Sequence, residues 1–291
     1  KGFVELHKFD SAHDFAHCTR VYETAAEALR WSSNTPHWIR LAVELGALLH
    51  EVDDRKCAPS TKGQHLPHAR LILKEVFKGE GEAEVFQYVV DAVLESIDLT
   101  SASKNGNRFP DKCAHPLLLV VRFADRLTAV GGEGIRRCLQ YTLDHGQPIS
   151  TLETPNPTTL EQLRTVCKGR FERYQGLGKS ASAVDHIFDK LAHLSHFEIP
   201  EKYRLPPLMF LMGRLREADS EVTDFALAHH DPTKFLPLLI KHVSTFHALA
   251  TCNVKNCPTC IAVDGYTYVE LPAAVPIPAT PPPPPPPQSP E

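Results

Sequence analysis

Three short runs in the first half of the chain carry side chains that bind metals or move protons. The first is His13-Asp14-Phe15-Ala16-His17-Cys18-Thr19-Arg20-Val21. In the second, Gly46-Ala47-Leu48-Leu49-His50-Glu51-Val52-Asp53-Asp54-Arg55-Lys56, a His is joined directly to a carboxylate at the end of an apolar helical stretch. Imidazole nitrogen and carboxylate oxygen aimed at one space suit Mn, Fe, Co, Ni, Zn or, with more water, Mg. A helix cap or surface pair is the plainer reading of such a doublet on its own. The third run, Val120-Val121-Arg122-Phe123-Ala124-Asp125-Arg126-Leu127, sets one carboxylate inside an apolar helix. Burying it unpaired costs several kcal/mol, so Asp125 needs Arg122, Arg126 or a metal cation as its partner. Its combination with His17 and His50 favours the metal.

A separate cluster lies near the C-terminus, where His247 is followed by Cys252 and by Cys257-Pro258-Thr259-Cys260. The two-residue gap lets Cys257 and Cys260 reach one tetrahedral zinc, and Cys252 with His247 would complete a three-sulfur, one-nitrogen structural site. Only one half of that set has the spacing of a close pair, so unliganded thiols and a redox pair stand as alternatives. Cys18, Cys57, Cys113, Cys138 and Cys167 are scattered singly and read as reduced, packed thiols.

The elements that must position these residues are helical. Apolar residues recur at helical spacing through most of the chain, which predicts an all-α fold. The expected helices cover about 14–31, 37–51, 66–78, 82–98, 115–129, 132–144, 158–175, 181–195, 207–228 and 234–250. Ser11 or Asp14 would cap the first, Pro36 suits the first turn of the second, and Pro206-Pro207 opens the ninth. Residues 1–230 read as one helical domain, 231–271 as a C-terminal helix and Cys-rich segment, and 272–291 as a disordered proline-rich tail ending in seven prolines, Pro281–Pro287, and Gln-Ser-Pro-Glu. Such a tail is either a ligand for an SH3 or WW groove or a solvated end without a partner, the second being favoured.

The 291 residues, 42% of them hydrophobic, suffice for a buried core. With 31 basic against 35 acidic residues the net charge is -4, which argues against nucleic acid as the main partner. No run approaches the roughly 20 apolar residues needed to span a bilayer, and no signal pattern opens the chain, so a soluble cytoplasmic protein is expected. Its first residue is Lys, which leaves a trimmed targeting segment open.

Taken in order, these runs resemble the HD-domain phosphohydrolase superfamily, and more narrowly a bacterial-type branch of small HD proteins with nucleotide pyrophosphatase activity. The resemblance is carried by residues 13–21, by Ala47-Leu48-Leu49-His50-Glu51, by Ala124-Asp125-Arg126-Leu127-Thr128-Ala129-Val130-Gly131-Gly132-Glu133-Gly134-Ile135 and by Ala183-Val184-Asp185-His186-Ile187-Phe188-Asp189-Lys190-Leu191, and it covers about residues 10 to 228. It implies an HD-domain helical bundle around one divalent ion (Mn, Ni, Co, Mg or Fe), with ligands from a first His, a His-Asp doublet and a distal Asp. Those roles fall on His17, on His50 with Glu51, and on Asp125. The implied reaction is metal-assisted hydrolysis of a phosphoester or phosphoanhydride in a nucleotide or similar small phosphorylated substrate. Arg20, one turn beyond His17, and Lys56, just past the doublet, are then the cations expected on phosphate oxygens, with plain surface charge as the alternative. Asp54 would hold the attacking water, or serve only as a turn residue; Arg126 would fix Asp125; His13 and Asp14 would orient His17 or start its helix.

The chain departs from the pattern twice. Glu51 stands where the doublet has Asp, with Asp53 or Asp54 as candidates to compensate, and Leu94-Glu95-Ser96-Ile97 lacks the His-Ser pair often found in relatives. Both departures support the rival reading, a catalytically weak HD scaffold that binds a nucleotide or a protein partner. His65 and His68 would recruit a second iron in a two-iron version of the site, but polar surface is the favoured reading for them, as for His229-His230.

Overall fold

A computed structural model describes residues 15–54, 65–78 and 83–243, and there the helical periodicity is realised as an all-α fold with no strand among the described residues. The helices are α1 (Phe15–Leu29), α2 (His37–Leu49), α3 (Pro67–Val76), α4 (Ala83–Thr100), α5 (Leu119–Ala129), α6 (Gly131–Asp144), α7 (Leu160–Cys167) and α8 (Arg170–Leu177). They are followed by α9 (183–195), α10 (Pro206–Ala228) and α11 (Pro232–Val243). None of the described helices is long and apolar enough to cross a membrane.

Helix α5 runs through the centre, packed on α1, α2, α4, α6 and α10. Leu119, Val120, Val121, Phe123 and Ala124 are fully buried on it, where the neighbouring helices cover it. Full burial of a Leu, Val or Phe side chain is worth about 1.5–3 kcal/mol, so the helix that carries Asp125 is firmly anchored. Arg122 and Arg126 are buried with it, and Arg126 does not fix Asp125 as expected. Successive positions on a helix point about a quarter-turn or more apart, and both guanidiniums turn to another side, donating to the Gly106 carbonyl, with Arg122 also donating to Arg108 O at 2.8 Å. The Arg126 guanidinium lies 4.7 Å from the centre of the Phe197 ring.

Glycines fix the joint between α5 and α6. Gly131 has φ +64°, a left-handed conformation that side chains resist, and a Cβ on Gly134 would run into the Ala129 carbonyl. Helix α6 can therefore fold back directly after α5, with no linker between them.

Several boundaries differ from expectation for local reasons. The helix expected over 158–175 is two helices, because Gly169 sits at φ +71° and breaks the ladder. Pro116 begins a 3-10 turn, Pro116–Leu118, ahead of α5. Helix α9 is interrupted by a π turn, Ile187–Leu191. A single helical turn at Ala102–Asn105 has too short a sequence signal to be foreseen. Cys18, Cys113, Cys138 and Cys167 form no disulfide among the described residues, as expected, and burial pushes the Cys138 thiol up to about 12. Ser11, His13, Asp14, Lys56, Cys57, the set His247, Cys252, Cys257 and Cys260, and the proline-rich tail lie outside the described residues.

Candidate metal centre

Three helices deliver the expected ligands to one point. His17 is in the first turn of α1 and 1% exposed; His50 is the C-cap of α2, with Glu51 in the turn that follows; Asp125 projects from α5. The end of α2 leaves carbonyls without helical partners, and His50 Nδ1 donates to one of them, Ala47 O, at 2.8 Å. Its neutral ring then carries the lone pair on Nε2, which faces inward.

His17 is oriented by a longer route. Thr128 gives its one hydroxyl proton to Asp125 O at 2.7 Å, so at the 3.4 Å contact with His17 Nδ1 it accepts. His17 Nε2 is thereby also left as a lone-pair atom. The two Nε2 atoms are 3.1 Å apart. Glu51 Oε1 lies 3.3 Å from His17 Nε2 and 3.4 Å from His50 Nε2, and Asp125 Oδ1 lies 3.4 Å and 3.7 Å from the same two atoms.

This donor set fits a divalent ion. With ligands about 2.1 Å from a metal, neighbouring donors stand about 3.0 Å apart in an octahedron and about 3.4 Å in a tetrahedron. All four atoms lie within 4.8 Å of one another. Two neutral imidazoles and two carboxylates sum to a charge that a divalent cation balances, and nitrogen with oxygen is a borderline set that suits transition ions. The carboxylate of Glu51 reaches the cluster despite its extra methylene, and no compensating acid is required.

Without an ion, protons take its place. Burial works against charge on both rings, but hydrogen bonds to Asp125 and Glu51 outweigh it, so His17 is raised above its ordinary 6.5 and His50 well above it. Burial likewise opposes charge on Asp125, yet the two histidines hold its carboxyl well below the usual carboxylate range.

Beside the cluster stands an arginine that sequence reasoning missed. Arg137, on α6, donates through Nη1 to Thr128 O at 2.8 Å. Burial lowers its pKa, and the nearby carboxylates of Asp125, Glu133 and Glu51 oppose that shift. The available signal was its place three residues after Gly134, on the side of α6 that the glycine joint turns toward α5. Arg20 shares this neighbourhood, its charge acting on both Arg137 and Glu133, and its Nε is buried without an acceptor among the described residues.

The other expected residues lie outside the four-residue cluster. Asp54 sits in the turn after Glu51, donating its N–H to Glu51 O at 3.1 Å. Asp53 does not compensate for Glu51: its carboxylate accepts from His68 N at 3.1 Å, Ala69 N at 2.9 Å and His68 Nδ1 at 2.9 Å, capping α3. His65 meets Asp98 at 2.5 Å, so neither it nor His68 joins the cluster. Ser96 is buried, donating to Leu118 O at 3.1 Å, and Glu95 accepts from Ala114 N at 3.0 Å, so this stretch works in packing and loop anchoring. His229 is not polar surface: it is 1% exposed, its ring centre is 5.1 Å from that of Phe235, and burial pushes its pKa down to about 4.

No family model matches the chain. It is 30% identical over 233 residues to uncharacterized protein L803 of Acanthamoeba polyphaga mimivirus, a match that covers 78% of this chain and 91% of that protein. The Lin1889 protein of Listeria innocua is a looser structural likeness, with TM-score 0.46, 18% identity, and 76% of this chain and 88% of that one covered. A structure from Lactobacillus plantarum gives a TM-score of 0.41 and 22% identity over 73% of this chain and 89% of that one. Overlaps this loose assign nothing to the site.

Proposed function

Since the chain belongs to one family with uncharacterized protein L803 of Acanthamoeba polyphaga mimivirus, whose name carries no activity, we propose a function from the site itself: an HD-type, metal-dependent phosphohydrolase acting on a nucleotide or similar small phosphorylated substrate. The observation that carries this reading is the convergence of His17 Nε2, His50 Nε2, a Glu51 oxygen and an Asp125 oxygen, with Arg20 and Arg137 beside them.

In this reading His17, His50, Glu51 and Asp125 hold Mn, Ni, Co, Mg or Fe. A bound ion of this kind would supply Lewis acidity, lowering the pKa of water toward about 7 and polarising a phosphoryl oxygen. The guanidiniums of Arg20 and Arg137 balance charge on the phosphate oxygens, for which planar, paired N–H donors are well shaped. Asp54, in the turn after Glu51, is the group assigned to orient the attacking water, and Thr128 and the Ala47 carbonyl keep both imidazoles in the tautomer that binds.

A nucleotide panel incubated with the purified chain and Mn, Ni, Co or Mg tests this. Release of phosphate or pyrophosphate by the wild type, abolished in Asp125→Ala, is the expected result. A chain that hydrolyses no nucleotide with any of these ions contradicts it.

A further inference from the structure

A cavity of about 430 Å³ opens between α6, α8 and α9. None of the four metal-cluster residues lines it. Its walls include Arg137, Lys179, His186 and Lys190, together with Tyr174 and Ser180. No Asp or Glu among the described residues lines it.

This segregation of charge is built into α9. Asp185 and Asp189 lie on the same helix as His186 and Lys190, but both are held by Arg170, at 2.7 Å and 2.6 Å. The acids thus share one guanidinium away from the cavity while the basic residues line it. The π turn contributes, because its wider coil brings both Lys190 and Leu191, four and five residues after His186, onto the cavity wall. π turns inside helices recur at functional sites. His186 Nδ1 and Ser180 Oγ are 3.2 Å apart, tying the loop that bears Lys179 to the helix.

Like charges gathered in one concavity repel one another, and an anion relieves that cost while the low-dielectric walls concentrate the attraction. The volume falls within the range of small-molecule sites, about 300–1,000 Å³. We infer that this cavity is a second binding site, for the phosphate groups of a small phosphorylated molecule, held by Lys179 and Lys190, with Arg137 at its border with the metal centre. The site goes beyond the hydrolase reading and does not require an ion at the metal centre.

Calorimetric titration of the full chain with inorganic pyrophosphate, in EDTA, tests the assignment apart from the metal. Wild type and His50→Ala are expected to bind alike. Lys190→Ala is expected to weaken binding about tenfold or more, Lys190→Arg to retain most of it, and Lys179→Ala, in an exposed loop where folding is not at stake, to weaken it as well. No binding by the wild type overturns the proposal, as do unchanged affinities in both Lys→Ala variants. Loss of binding in His50→Ala also overturns it, because the phosphate would then sit at the metal centre.

Discussion

Thr128 Oγ1 stands 3.4 Å from His17 Nδ1, joining α5 to a residue 111 positions earlier, and its proton is already committed to Asp125 O at 2.7 Å. One hydroxyl thus orients one ligand while bonded to the backbone of another. Thr128→Val keeps the shape and removes the acceptor. Metal affinity should fall about 10–100-fold with the fold intact, as calorimetric titration with Mn would show. An unchanged affinity would mean that packing alone orients His17.

Ion binding should compete with protons. Both histidines are raised in the metal-free protein, so an entering ion must displace protons from them. Affinity for Mn should therefore rise as pH climbs above 6.5, by up to about 100-fold per unit while both rings remain protonated. Stability of the metal-free chain should move the other way: the contribution of a raised histidine is complete below the unfolded value of 6.5 and is lost as pH climbs through the folded one. Melting curves with and without EDTA across that range check both halves.

His229 gives the opposite slope in a lower window. Its folded pKa is about 4 against an ordinary 6.5, so the unfolded chain takes up a proton there that the folded one refuses. Stability should fall as pH drops from about 6.5 to about 4, by roughly 3 kcal/mol for this group. In EDTA, His229→Gln should flatten that part of the pH profile, whatever it costs at neutral pH.

Two glycines should respond in opposite directions. A methyl at Gly134 meets the Ala129 backbone, and Gly134→Ala should cost about 3 kcal/mol while loosening the joint that places Arg137. Gly213, in the middle of α10, has open space around it, and Gly213→Ala should stabilise by about 0.5–1 kcal/mol. Urea unfolding of each variant measures both.

The cluster of His17, His50, Glu51 and Asp125 was legible in the sequence because their motifs, in order, resemble a known metal-binding pattern and the helices around them follow a clear apolar period. Asp125 stood out as a carboxylate where α5 buries its neighbours. Arg137 did not, since its value depends on α6 folding back at Gly131 and Gly134, a tertiary fact that composition does not carry. Arg126 was misassigned for a related reason: helix position says which way a side chain leaves, not that Gly106 waits there. His229 lies in a His-His-Asp-Pro run that reads as polar, and its burial comes from tertiary neighbours such as Phe235, Pro155 and Asp185.

Elemental analysis of the purified wild type, His50→Ala and Asp125→Ala tests the metal centre most directly. The account predicts about one transition ion per wild-type chain and none in either variant, both of them still folded. A wild type that holds no ion after exposure to Mn, Ni, Co or Fe, or variants that keep theirs, would contradict it.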